Sequence, residues 1–178
     1  TLDHDFNLLS QEDLENGELK FGLPAALIIL LLVFGAVVAG LIPLLMAIMA
    51  IVVALGLATL LAQQFELSVF LINMLTGMGL ALGIDYSLFV VSRYREERDR
   101  GTHELAAIET AGATASRAVL FSGSVFVVAM LGMLLVPNSI MRSLAVGAIL
   151  VGIVSVVAAL TLLPAVLGLL GDKVDALR

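Results

Sequence analysis

The 178-residue chain is 61% hydrophobic and 13% charged, with a formal net charge of −6, whereas a soluble domain carries about 25% charged residues. Its mean hydropathy of +1.12 and the gathering of its charges into the N-terminus, one internal block and the C-terminus mark a polytopic membrane protein. With no cysteine in the sequence, disulfides, thiolate metal sites and a cysteine nucleophile are excluded, and nothing in the charge pattern points to nucleic acid.

The chain opens on "TLDHDFNLLSQEDLENGELK", which is polar, acidic and unlike a signal peptide. It starts without Met, and residues 1–20 are read as a linker within a longer protein. His4 lies between Asp3 and Asp5; the acidic end of a linker is preferred over a divalent-metal site, and no metal or cofactor is assigned. Residues 21–65 carry no charge, long enough for two helices of about 20 residues each. Gly40 and Pro43 in "GLIP" place the break between spans 22–42 and 44–63. A third span covers 68–92. The polar loop 93–117 follows, in which "THELAAIETAGATASRA" predicts a short interfacial helix with Thr102 as its N-cap. His103, in the same loop, is read as solvated. A fourth span, 118–136, is stopped by "VPNS". The fifth, 141–170, has Pro164 near its end, and residues 173–178 form a tail. The expected fold is therefore all-α: a transmembrane domain over 21–172, with five membrane helices and one interfacial helix.

Five crossings put the two termini on opposite sides. Arg93, Arg95, Arg98, Arg100, Arg117, Lys173 and Arg178 fall on one side, and only Lys20 and Arg142 on the other. Because cytoplasmic loops are enriched in Lys and Arg, the polar block and the C-terminus are expected in the cytoplasm and the N-terminus outside.

The third span contains a carboxylate in "GLALGIDYSLFVVSRYREE". Asp85 precedes Arg93 by eight residues, roughly 12 Å along a helix, and half a hydrocarbon core is about 15 Å. That puts Asp85 near mid-membrane, where an aspartate costs on the order of 2.5–3.5 kcal/mol. Such residues face the bundle interior and serve ion or proton pathways. Tyr86 points about 100° away around the helix, so each member of the pair needs a partner elsewhere. Gly79, Gly83 and Tyr86 share a stripe, and the Gly79/Gly83 pair, with Gly77 nearby, lets a neighbouring backbone approach. A structural lock on a hydroxyl (Thr76, Ser116, Ser122 or Ser124, or the amide of Asn73) is the rival reading. No Lys or Arg lies inside a span to compensate Asp85, so a proton-active role is preferred and the partner is expected outside this chain.

"GLALGIDYSLFVVSRYREE", "SRAVLFSGS" and "TLLPAVLGLLG" together closely resemble the MmpL transporters of the RND superfamily, from about Glu12 onward. The resemblance implies a pseudo-symmetric protein of twelve spans, of which this chain matches five of the first half. It further implies export of lipids or other hydrophobic molecules across the bacterial inner membrane, driven by the proton-motive force. The family's Asp-Tyr pair maps onto Asp85 and Tyr86 and implies crosswise bonding to an equivalent pair in the second half. Ser122 maps onto a small polar position near that centre. Membrane lipids, a hydrophobic substrate, and the second half or another copy are the implied partners. An intramembrane aspartyl protease is disfavoured because such enzymes need two carboxyls at one site, and no catalytic residue is assigned. A protein-export accessory, a sterol- or hopanoid-handling protein and a self-pairing membrane scaffold stand as rivals to the export reading.

Overall fold

The hydrocarbon core offers no water to satisfy free N–H and C=O groups, so an apolar chain pairs its backbone within each segment, as helices do. The computed structural model describes residues 17, 20–63, 68 and 70–175. Most of the acidic lead-in, His4 with its two aspartates, and the last three residues lie outside that set. Among the described residues the fold is an all-α membrane bundle: α1 (Leu23–Phe34), α2 (Val37–Ala62), α3 (Phe70–Asp99), α4 (Glu104–Leu134), α5 (Ser139–Leu160) and α6 (Leu162–Leu170), closed by a 3₁₀ turn, Gly171–Asp175. Four rods are long and apolar enough to cross a membrane: α2, α3, α4, and α5 with α6 as Ser139–Leu170. The helix containing α1 runs over Lys20–Phe34. At its rise per residue it is about 22 Å long, shorter than a hydrocarbon core of about 30 Å.

The turn between the first two helices falls earlier than "GLIP". Gly35 takes the left-handed conformation (φ 60°) and donates its N–H to Leu31 O at 2.9 Å, a common helix stop. Ala36 is extended and α2 begins at Val37, so Gly40 and Pro43 lie inside α2. Gly40 has another use. A Cβ there would sit 3.2 Å from Leu31 Cδ2 and 3.4 Å from the Leu30 carbonyl carbon and oxygen, so Gly40 lies in close contact with the end of α1 folded back against α2. Pro43 lies in the second turn of α2 and is fully packed within the bundle, a place where membrane helices tolerate proline.

The loop between α3 and α4 is also shorter than the sequence suggests. α3 continues through the arginine block to Asp99 and stops at Gly101 (φ 84°). There Gly101 N–H bonds Arg98 O and Thr102 N–H bonds Glu97 O, the paired bonds of a Schellman stop. His103, not Thr102, holds the N-cap position of α4. The segment expected as a separate interfacial helix is the first half of α4, continuous with the fourth span. Its buried stripe recurs every four residues (Ala107, Ala111, Ala115, Val119, Gly123), so nothing in the pattern breaks the helix at residue 117.

α3 lies at the centre. It runs antiparallel to α2, Gly83 meeting Ala47 and Gly79 meeting Ile51, and parallel to α5, where Gly79 also meets Val151. α4 runs antiparallel to α5, with Gly123 against Val156 and Gly152 against Phe126. At one end the Ser143 hydroxyl accepts from Ser68 N–H at 3.0 Å, tying the start of α3 to α5. At that same end Asn138 caps α5, its side-chain oxygen accepting from Ile140 and Met141 N–H. At the other end Val174 is buried beneath the bundle. α5 breaks at Thr161, and Pro164 lacks the N–H that would rejoin the helix. α4 is the least buried of the long helices.

Candidate functional site

Residues one apart on α3 meet opposite surroundings. Gly79, Gly83, Tyr86 and Val90 form its buried stripe. Ala81, Asp85 and Phe89, at four-residue spacing, form an exposed one. Asp85 therefore stands on the outside of this bundle among apolar side chains, in the middle of the helix. Among the described residues it makes no hydrogen bond or ion pair. The hydroxyls that the sequence offers as partners are turned back onto their own helices. Thr76 donates to Ile72 O and Asn73 O, Ser116 to Gly112 O and Ser124 to Leu120 O at 2.6 Å.

Tyr86 goes the other way, into the bundle, and only 7% of it is exposed. Its hydroxyl lies beside Gly123 of α4, 3.6 Å from where a Cβ there would stand, while that Cβ would overlap Val156 of α5, so Gly123 lets α4 and α5 close together next to the hydroxyl. Ser122 is a close neighbour on α4, and its hydroxyl donates to Val119 O of its own helix at 3.3 Å. The structure thus groups Tyr86, Ser122 and Gly123, with Asp85 adjoining them on the open face. Gly123 is the member that sequence reasoning passes over, although it follows Ser122 directly in "LFSGS".

The glycines of α3 set the position of this pair. A Cβ on Gly83 would lie 2.5 Å from Ala47 Cα and 2.8 Å from its Cβ. On Gly79 it would overlap Ile51 and come within 2.9 Å of Val151 Cγ2. Backbone contact with α2 is therefore closest within one turn of Asp85, which fixes the height and rotation of the helix there. Gly77 is half-buried.

The end of α3 carries an ionic cluster that the sequence shows only as a charge run. Glu97 is 8% exposed and lies between Arg93 (3.2 Å) and Arg100 (2.6 Å), while Arg93 also pairs with Glu96 at 2.6 Å. These are i,i+3 and i,i+4 spacings, legible on one helix face. Arg98 donates to Thr102 O. Arg95 reaches a different helix, donating to Phe34 O at 2.8 Å. Among the described residues no three His, Asp or Glu side chains gather into a set that could hold a metal ion.

Comparison with known proteins matches residues 3–178 to the MMPL family model. The mycolic acid-containing lipids exporter MmpL11 of Mycolicibacterium smegmatis (strain ATCC 700084 / mc(2)155) is 40% identical over 152 residues, 85% of this chain and 16% of that protein. The heme uptake protein MmpL11 of Mycobacterium tuberculosis (strain ATCC 25618 / H37Rv) is 38% identical over 158 residues, 89% of this chain and 16% of that protein. From the same strain, the trehalose monomycolate exporter MmpL3 is 37% identical over 155 residues, 87% of this chain and 16% of that protein. The chain therefore spans about a sixth of the length of these relatives.

Proposed function

This chain belongs to the MMPL family, and we propose that it is the proton-relay portion of a transporter that exports lipids across the bacterial inner membrane. The observation that carries the reading is Asp85: a carboxyl group at the middle of a membrane helix, on an apolar exposed face, with no partner among the described residues. A permanently charged group in that position is costly. A group that takes and gives up a proton as a facing partner moves has a function there.

In this reading the N-terminus is extracytoplasmic and the arginine-rich end of α3 is cytoplasmic, as the Lys and Arg distribution favours. A proton arriving from outside neutralises Asp85. Its bond to an Asp-Tyr pair on the second half of the transporter is then lost, and α3 shifts against that half. Tyr86 and Ser122 hold the inner side of the site, and the glycine contacts keep α3 in register with α2 during the shift. The lipid cargo is supported by two relatives named as lipid exporters, MmpL11 of M. smegmatis and MmpL3 of M. tuberculosis.

Asp85→Asn in the complete transporter is the test. The variant should reach the membrane at normal abundance and lose both lipid export and proton uptake; export at the wild-type rate would refute the relay. The similarity to a heme uptake protein, MmpL11 of M. tuberculosis, favours a second reading, in which the same relay drives uptake of heme. Measuring labelled-lipid export beside heme-dependent growth, in a strain lacking the gene, separates the two.

A further inference from the structure

We infer that Arg95 is a positioning residue that makes α1 follow α3 when α3 moves. The inference rests on the proton-relay reading and concerns how motion leaves the site.

α1 is held to the bundle by few polar contacts. Its sequence, LPAALIILLLVF, has no charge and no side chain able to cap its end. The last carbonyls of a helix have no partner within it and carry the negative end of its dipole. Gly35 N–H satisfies Leu31 O. Arg95 satisfies Phe34 O, placing a cation where the dipole favours one. The guanidinium also lies over the Phe34 ring, 5.5 Å from its centroid, a cation–π arrangement. Phe34 itself is buried. One planar side chain thus grips both the backbone and the ring of the residue at the α1–α2 turn.

Arg95 stands ten residues after Asp85 on the same unbroken helix, about 15 Å away. Its neighbours in the charge block act locally: Arg93 and Arg100 pair with Glu96 and Glu97 of α3. At its other end the chain entering α1 only approaches α3: even an added Cβ on Gly22, just before α1, would stand 4.0 Å from Leu80 Cδ2. Near Leu80 the approach would need a side chain that Gly22 lacks, whereas at Arg95 the two helices are in direct contact. The contact at Arg95 also has direction. A displacement or rotation of α3 at Asp85 pulls on Phe34 through Arg95. α1 is the element through which the N-terminal segment of the chain joins the bundle, so Arg95 gives movement at Asp85 a direct route to that segment, beside the packing of α1 on α2.

The experiment uses the complete transporter in proteoliposomes under an imposed pH gradient, recording lipid moved and protons taken up for Arg95→Gln, Arg95→Lys and Asp85→Asn. Arg95→Gln should lower lipid movement by about tenfold, the scale of losing a hydrogen bond from a charged group, while proton uptake stays within about twofold of wild type, so that lipid moved per proton falls. Arg95→Lys keeps the charge at the helix end but loses the flat face over Phe34, and should fall between the two. If Arg95→Gln does not accumulate, Arg95→Lys carries the same ratio test. An unchanged lipid-to-proton ratio would overturn the coupling role, as would a loss of uptake in step with lipid movement, which is what a merely structural residue gives. Asp85→Asn reports separately: if it keeps both fluxes, the relay reading itself fails.

Discussion

Gly83→Ala tests whether α3 is positioned by backbone contact. The added Cβ would lie 2.5 Å from Ala47 Cα, against an ordinary contact distance of 3.4–4 Å, so the two helices must separate by about 1 Å. The obstructing atom is backbone and cannot rotate away, which puts the cost near the top of the range of about 1–3 kcal/mol for overpacking. Replacing Gly by Ala inside a helix returns up to about 1 kcal/mol of propensity, leaving a net loss of about 2 kcal/mol. Gly79→Ala meets side-chain atoms of Ile51 and Val151, which can adjust, and should lose about half as much. Gly56→Ala, in α2, meets nothing within 4 Å and should be neutral or gain up to about 1 kcal/mol. Unfolding of the three variants in mixed detergent micelles, followed by circular dichroism, gives the order of stability. If Gly83→Ala proves as stable as Gly56→Ala, the close contact is not what holds α3 against α2.

Tyr86→Phe keeps the ring buried and removes the hydroxyl beside Gly123, with a loss of about 0.5–1.5 kcal/mol; lipid export by the complete transporter should drop by about tenfold or less, and complete loss would mean that the hydroxyl carries the proton itself. Gly35→Ala puts a side chain on a left-handed residue (φ 60°) at a cost of about 1–2 kcal/mol. Because the contact of Phe34 O with Arg95 adjoins that turn, protease accessibility around residues 34–37 should rise, and an unchanged cleavage pattern would show that the turn accommodates a side chain.

Fold class and the residue at the centre of the proposed site stand out in the sequence for one physical reason. Apolar runs without charge admit little but helices in lipid, and a lone aspartate within such a run is conspicuous. The helix boundaries are less legible. Gly35, Gly40 and Pro43 all signal a turn, but whether a glycine stops a helix or serves as a contact point depends on a neighbour far along the chain. Gly40 faces Leu30 and stays helical, while Gly35 faces open space and turns. The extent of α4 is hidden differently: residues 104–117 are polar enough to be read as a separate interfacial helix, yet their buried alanine stripe carries straight on into Val119 and Gly123. Arg95 gives no sequence signal, because its partner is a main-chain carbonyl 61 positions away.

The two stripes of α3 separate the source of stability from the proposed source of function. Gly79, Gly83 and Tyr86 pack against α2, α5 and α4, all within this chain. Asp85 and Phe89 lie on its exposed face. The close contacts of α3 are all made on the face away from Asp85, so stability of the bundle is expected not to depend on whatever meets Asp85. A helix held on one side by backbone-to-backbone contact and open on the other has a well-defined surface to present to a moving partner. The arrangement leads to a double dissociation. Asp85→Asn should leave the unfolding transition of the isolated chain unmoved while abolishing transport by the complete protein. Gly83→Ala should lower stability while leaving the carboxyl group, and with it proton uptake by whatever protein remains folded, in place. If Asp85→Asn instead shifted the unfolding transition of the isolated chain by as much as Gly83→Ala, the carboxylate would be part of the packing, and the rival reading of Asp85 as a structural lock would be the better one.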